Sequence, residues 1–247
     1  MPRTSPRSHA PQPTEPLAKV VVVRWQNQAR AAFAAYADTP RGNALAERTV
    51  QKSIKPRLID VALLLVPDTN NVAAMTAIEV GKNAVAVLVA GAETGAQHTR
   101  SLLHIHVRRM ERGMARADQL LQHAQLNLGC PFSASLAACL QWHSTLALVR
   151  NRFFASLALF SADIMRPGEG TTPKSQTLSL WWSPTDAAAD HRTFLTTALQ
   201  KQKSRGTARS LEYAEELEKI YDALYGAAEA AEAGEAAEAG EAEQAGP

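Results

Sequence analysis

TRSLLHIHVRRMERGMARADQLLQHAQLNLGCPFSASLAACLQWH, residues 99–143, holds the longest regular pattern of the chain. Leu103, Val107, Met110, Met114, Ala117, Leu121, Ala124 and Leu128 follow one another at steps of four and three. Such steps place all eight side chains on one face of a helix, as an unbroken heptad seam. Gly129 stops that helix and Pro131 prevents its return. Ser133 is placed to cap a second, mostly apolar helix from Ala134 to about Phe160. The expected unit is an antiparallel helical hairpin over about 97–160, with Met110, Met114, Leu121, Leu136 and Leu140 buried between its arms.

Working outward toward the N-terminus, Leu17 to Trp25, LAKVVVVRW, is β-branched and reads as a strand. Gln26–Ala37 reads as a helix ended by Thr39-Pro40 and Gly42. Ala44–Ile54 reads as another, stopped before Pro56. Leu58–Val66 is a buried strand or a short core helix, which periodicity does not separate. Asn71–Val89 reads as a buried helix, with Val85, Val87 and Val89 leaving a strand ending open. Toward the C-terminus, Thr177–Trp182 is a short strand ended by Pro184. A helix to about Lys203 follows, and after Gly206 a last one, Ala208–Tyr225. The expected fold class is mainly α: a helical bundle built around the long hairpin, with a few short strands.

The chain has 247 residues, 46% of them apolar and 20% charged, which excludes a wholly disordered protein. Two cysteines exclude a disulfide framework and a four-cysteine zinc site. No apolar run approaches the roughly 20 residues of a membrane span, and no signal peptide is visible. The expectation is a cytoplasmic protein with no membrane partner. Residues 1–16 form a Pro-rich arm expected to be disordered, and 17–225 a single α-rich domain. Residues 226–247, an acidic tail of mostly Ala, Glu and Gly, are expected to be disordered. The net charge is +2, but the tail has six glutamates and no Lys or Arg, which leaves the rest at +8.

That excess points to an anionic partner. Read as helical, Arg100, His104, Arg108, Arg112 and Arg116 recur every four residues and form one winding stripe, flanked by Arg109. Lys201, Lys203, Arg205 and Arg209 make a second basic cluster at an inter-helix turn. Arginine suits phosphate through its bidentate geometry, whereas the plainer reading is a solvated helix face. The nucleic-acid-binding candidates are Arg100, His104, Arg108, Arg109, Arg112, Arg116, Lys201, Lys203 and Arg205.

His104 and His106 would share a metal on a strand but not on a helix, where they lie about 200° apart. Cys130 precedes the second expected helix, whose N-terminus would lower a thiol pKa. No nucleophile elbow, phosphate-binding Gly-rich lysine loop, dinucleotide fingerprint or zinc-protease motif occurs. Gly81-Lys82-Asn83 is only a dipeptide echo of a phosphate loop. No catalytic residue, metal or cofactor is expected.

Over residues 99–143 the chain also resembles ribbon-helix-helix DNA-binding regulators and accessory proteins of conjugative elements. In them a short strand precedes a helix, a glycine-bearing turn and a Ser-capped helix. The resemblance implies that Leu103, Ile105 and Val107 face inward and that His104, His106 and Arg108 face DNA bases. It implies a non-enzymatic DNA-binding regulatory or accessory protein, acting on duplex DNA as a homodimer or higher homo-oligomer. The alternative is a helical scaffold or assembly protein that self-associates through its heptad seams. Under the DNA-binding reading, replacing Arg108, Arg112 and Arg116 by alanine leaves the fold intact.

Overall fold

The computed structural model describes residues 18–39, 47–48, 50–51, 58–67, 71–95, 98–136, 142–155, 178–184, 188–229 and 231. LAKVVVVRW forms strand β1 (Lys19–Val23), and helix α1 (Gln26–Ala37) follows as its sequence predicts. Ile59–Val66 resolves the open choice as strand β2. Val61, Leu63 and Leu65 enter one apolar core, and Ala62, Leu64 and Val66 enter another. A strand apolar on both faces shows no alternation, which is why periodicity did not identify it.

The expected helix over Asn71–Val89 divides instead. A 3-10 turn (Val72–Ala74) leads to the short helix α2 (Ala77–Asn83), and strand β3 follows (Ala86–Thr94). Thr76 caps α2: its hydroxyl accepts from Glu79 N–H, and Glu79 reaches back to Thr76 N–H at 2.7 Å. Beyond it, Val87 and Val89 lie on one face of β3 and Leu88 on the other, while Val85 precedes the strand.

The hairpin does not form. Thr99–Val107 is strand β4, paired antiparallel with β3 from Ala86↔Val107 to Thr94↔Thr99. A 3-10 turn (Arg109–Glu111) and a turn through Ala115 follow before helix α3 (Arg116–Leu128). Gly129 does end α3, in the left-handed conformation with φ +63°. The expected second helix opens as strand β5 (Phe132–Leu136), and helix α4 covers only Trp142–Arg150. Met110 is 83% exposed and Met114 is also exposed, so the seam that joined them buries nothing there. Leu140 lies outside the described residues, and so do most of the expected helix at 44–54 and the last part, 156–160, of the expected second helix.

Strand β6 (Leu178–Trp182), helix α5 (Ala188–Arg205) and helix α6 (Ala208–Tyr221) complete the order. A π-turn (Asp222–Gly226) carries α6 on to Glu229, whose carboxylate pairs with Arg192 and accepts from Tyr221.

The six strands form one mixed sheet in the order β1-β2-β3-β4-β5-β6, antiparallel except for β4 and β5. Helices α1 and α2 cover one face around Phe33, Tyr36, Leu64 and Val87. Helices α3 to α6 cover the other around Leu63, Leu88, Leu120, Phe194 and Leu217. The mainly α bundle is therefore replaced by an α/β layer architecture, because residues 86–107 gain ladder partners that a local reading does not supply. The ribbon-helix-helix resemblance fails for the same reason: its strand is an inner strand of this sheet, with β3 on one side and β5 on the other.

Candidate functional site

Strands β4 and β5 run parallel but share only Arg100↔Phe132 and Ser101↔Ser133. Beyond Ser101, residues 102–107 of β4 have no strand partner on the β5 side among the described residues. The sheet thus opens between two parallel strands toward their carboxyl ends. In open α/β sheets such crevices are where ligands bind.

At that end of β4 the chain turns into α3. Arg108 N–H donates to Val85 O at 2.9 Å, which ties the start of the turn to the sheet. Gly113 has φ +90° and Ala115 φ +52°, on either side of Met114. Left-handed residues interleaved in a turn aim backbone N–H groups inward as an anion-binding nest; here Met114 N–H donates within the turn to Glu111 O at 3.4 Å, so the groups on offer are those of its neighbours. Helix α3 follows at once. Its N-terminus has no side-chain cap, and its first internal bond is Gln119 N–H to Ala115 O at 3.0 Å. The N–H groups of its first turn therefore add to the nest, at the positive end of the helix dipole. Arg109 and Arg112 belong to the turn that leads into α3 and have exposed side chains, with Arg112 Nε donating back to Val107 O at 3.3 Å. The sequence signal was a β-branched strand leading through Arg112-Gly113-Met114-Ala115 into a helix. The heptad reading hid it by placing Gly113 inside the helix.

One side chain of that first turn is acidic. Asp118 is buried and accepts from Arg150 through Nε at 3.0 Å and a terminal nitrogen at 2.8 Å, a bidentate pair. Asn151 Nδ2 also donates to it, at 2.6 Å. Gln125 donates to Asn151 O at 2.7 Å. These bonds join α3 to the end of α4.

The predicted basic stripe is dispersed over a strand, a turn and a helix start. Arg100, on β4, binds Asp60 of β2 at 2.7 Å and Glu93 of β3 at 2.9 Å, lacing three strands together. Arg108 is buried, donates to Lys82 O and lies 5.0 Å from the centre of the Tyr36 ring. Arg116 is buried against Glu111 at 3.1 Å. Lys203 pairs with Glu218 at 2.8 Å, and Lys201 and Arg205 stand with it in the last turns of α5, remote in sequence and element from β4. Of the nine candidates, Arg109 and Arg112 remain exposed beside the nest.

His104 and His106 share a face after all, because their segment is a strand. They stack at 6.0 Å between ring centres and pack beneath Phe33 and Tyr36 of α1. Tyr36 Oη lies 2.7 Å from His106 Nδ1, while His104 Nε2 is buried with no hydrogen-bond partner among the described residues. Burial lowers His104 to about 4; burial, with the charges of Arg112 and Arg108, does the same to His106. Both rings are neutral at pH 7 and face α1 rather than a groove of DNA. No group of three metal-ligating side chains occurs among the described residues. Cys130 heads a strand rather than a helix, and burial pushes its thiol up, against reactivity.

No family model matches the chain, and no curated protein matches it. Solved structures similar to it include one described as a GNAT-family acetyltransferase from Desulfovibrio desulfuricans, at 13% identity, TM-score 0.37, covering 68% of this chain and 99% of that one. Another is the Escherichia coli GNAT-family N-acetyltransferase YhbS in complex with CoA, at 13% identity, TM-score 0.39, covering 70% and 84%. A third is described as an acyl-CoA N-acyltransferase from Klebsiella pneumoniae, at 11% identity, TM-score 0.38, covering 67% and 96%. Superpositions this loose carry no argument about activity.

The DNA-binding regulator and its duplex DNA partner are withdrawn with the stripe that supported them. The self-associating scaffold is withdrawn with its principal seam, and the non-enzymatic expectation with both. No helix among the described residues is long and apolar enough to cross a membrane.

Proposed function

We propose that the chain is an acyltransferase whose donor is a coenzyme A thioester, held in the opening between β4 and β5. The observation that supports this reading is the nest at Gly113–Ala115, leading into the N-terminus of α3 where β4 parts from β5. Two parts of the opening suit two parts of such a donor. Backbone N–H groups with Arg109 and Arg112 beside them suit a diphosphate. The edge of β4 over residues 102–107, about 20 Å long at strand rise and without a strand partner on the β5 side among the described residues, suits an extended arm with amide groups, which pairs like an added strand. CoA is also the ligand of the similar Escherichia coli structure.

A thioester supplies an acyl carbon open to a nucleophilic acceptor: the bond to the acceptor forms, the carbon–sulfur bond breaks, and sulfur takes the proton that the acceptor gives up. The chain binds the phosphates through the nest, lines up the amide-bearing arm along β4, and keeps the acyl end between the strands.

Calorimetric titration with CoA tests the reading. Gly113→Val strains a backbone at φ +90°, although open space surrounds it, and should weaken CoA binding at least tenfold. Gly206→Val is equally strained at φ +65°, lies between α5 and α6, and should leave affinity unchanged. A wild-type chain that ignores CoA, or equal effects of the two variants, would overturn the proposal.

A further inference from the structure

Asp118 is an acid that the anion site does not use. It stands in the first turn of α3, whose positive end is already engaged by its charge. A diphosphate bound at the same end would meet that charge at short range, in a partly desolvated setting where repulsion is strong. Arg150 is the group that cancels it, through two parallel bonds at 3.0 and 2.8 Å. Arg150 reaches across from α4, so the compensation comes from outside α3 itself. Asn151 Nδ2 adds a neutral bond at 2.6 Å that holds the carboxylate whether or not the arginine is present.

We propose that Arg150 is a positioning residue for the donor site. It neutralises Asp118 under the nest, and so makes the first turn of α3 receptive to a phosphate-bearing ligand. The inference rests on the acyltransferase reading above, and it assigns the pair an electrostatic role beyond joining two helices. A purely structural pair and a charge-compensating pair differ in the sign of one substitution. Removing Arg150 leaves an uncompensated carboxylate beside the ligand phosphates. Removing the carboxylate's charge as well takes the repulsion away while keeping a side chain that Asn151 can still bind.

The experiment is calorimetric titration of CoA into the wild-type chain, Arg150→Met, Asp118→Asn and the double variant, at low and at high salt. Arg150→Met should weaken CoA binding about tenfold at low salt and less at high salt, where screening shortens the reach of the carboxylate. Asp118→Asn should bind as well as the wild type or better. The double variant should return to within about threefold of the wild type, a rescue that loss of a bridge alone does not give. Should Arg150→Met fail to fold, the salt dependence of Asp118→Asn against the wild type still decides, since only the charge role makes Asp118→Asn tighter at low salt. All three variants weakened alike would overturn the inference and leave the acyltransferase reading standing. No CoA binding by the wild-type chain would overturn both.

Discussion

Gly81 lies where α2 crosses α1, and the crossing is closer than any side chain permits. A Cβ built there stands 2.1 Å from Ala32 O and 3.1 Å from Ala35 Cβ. The nearest atom is backbone, so the helices must part. We expect Gly81→Ala to destabilise the chain by about 1–3 kcal/mol, read by denaturant titration. The dipeptide that echoed a phosphate loop is thus a packing contact. The arginines follow the same logic. Arg108 and Arg116 are buried against Tyr36 and Glu111, so the triple alanine variant at 108, 112 and 116 should lose about 2–4 kcal/mol, contrary to the reading made from spacing alone. Arg109→Ala with Arg112→Ala should change stability by less than about 0.5 kcal/mol. The histidines add a pH dependence. His104, His106 and His191 are held at about 4, mainly by burial, against 6.5 for the free side chain. Between those values the unfolded chain binds more protons than the folded one. Stability is therefore complete above about pH 6.5 and falls as the pH drops toward 4, by at most about 3 kcal/mol per histidine. Phenylalanine cannot take the proton, and His104 Nε2 has no partner among the described residues to lose. His104→Phe should therefore lose less stability between pH 7 and 4.5 than the wild type in parallel denaturant titrations.

Among the elements, legibility followed how local the cause of each was. Strand β1, helix α1 and helix α6 are written in their own residues: a β-branched run, a helix bounded by Thr39-Pro40, and a start capped by Thr207. Strand β4 is not. Leu103 and Val107 satisfy a heptad as readily as a strand, and Met110 and Met114 extended the pattern by coincidence through a turn. The competing signal was the alternation of Ile105 and Val107, which face α3, with His104 and His106, which face α1. It decides only once β3 supplies a partner, and that pairing is a long-range fact. The anion site was hidden by the same misreading, since it exists only where a strand hands over to a helix. The parting of β4 from β5 leaves no trace in either strand's composition. A direct check contrasts the two accounts of the segment. Met110→Gln with Met114→Gln should leave stability within about 0.5 kcal/mol, because both side chains are exposed. Leu120→Ala, off the seam but fully buried on α3, should cost about 2–5 kcal/mol. The reverse order would restore the helical hairpin.

For the whole molecule, the sheet is continuous on paper but joined at one narrow place. Strands β1 to β4 form an antiparallel unit, β5 and β6 form another, and two residue pairs at Arg100 and Ser101 connect them. The helix layer adds the Asp118–Arg150 pair and the Gln125–Asn151 bond. A ligand lying between β4 and β5 would bridge the two units along the stretch where, among the described residues, no strand pairing joins them. Its binding should therefore stabilise the chain as a whole and protect amides on both sides of the opening. At one hundred times its dissociation constant, CoA adds about 2.7 kcal/mol, which for a chain of this size raises Tm by roughly 5–10 °C. Hydrogen exchange should slow at 102–107 of β4, at 113–118 and at 132–136 of β5, and stay unchanged in β1 and β2. Protection confined to 113–118 would mean that only the phosphates are held, as by a simple anion site. Protection on both strands, with no comparable effect of inorganic pyrophosphate, is the outcome expected of a thioester carrier spanning the gap.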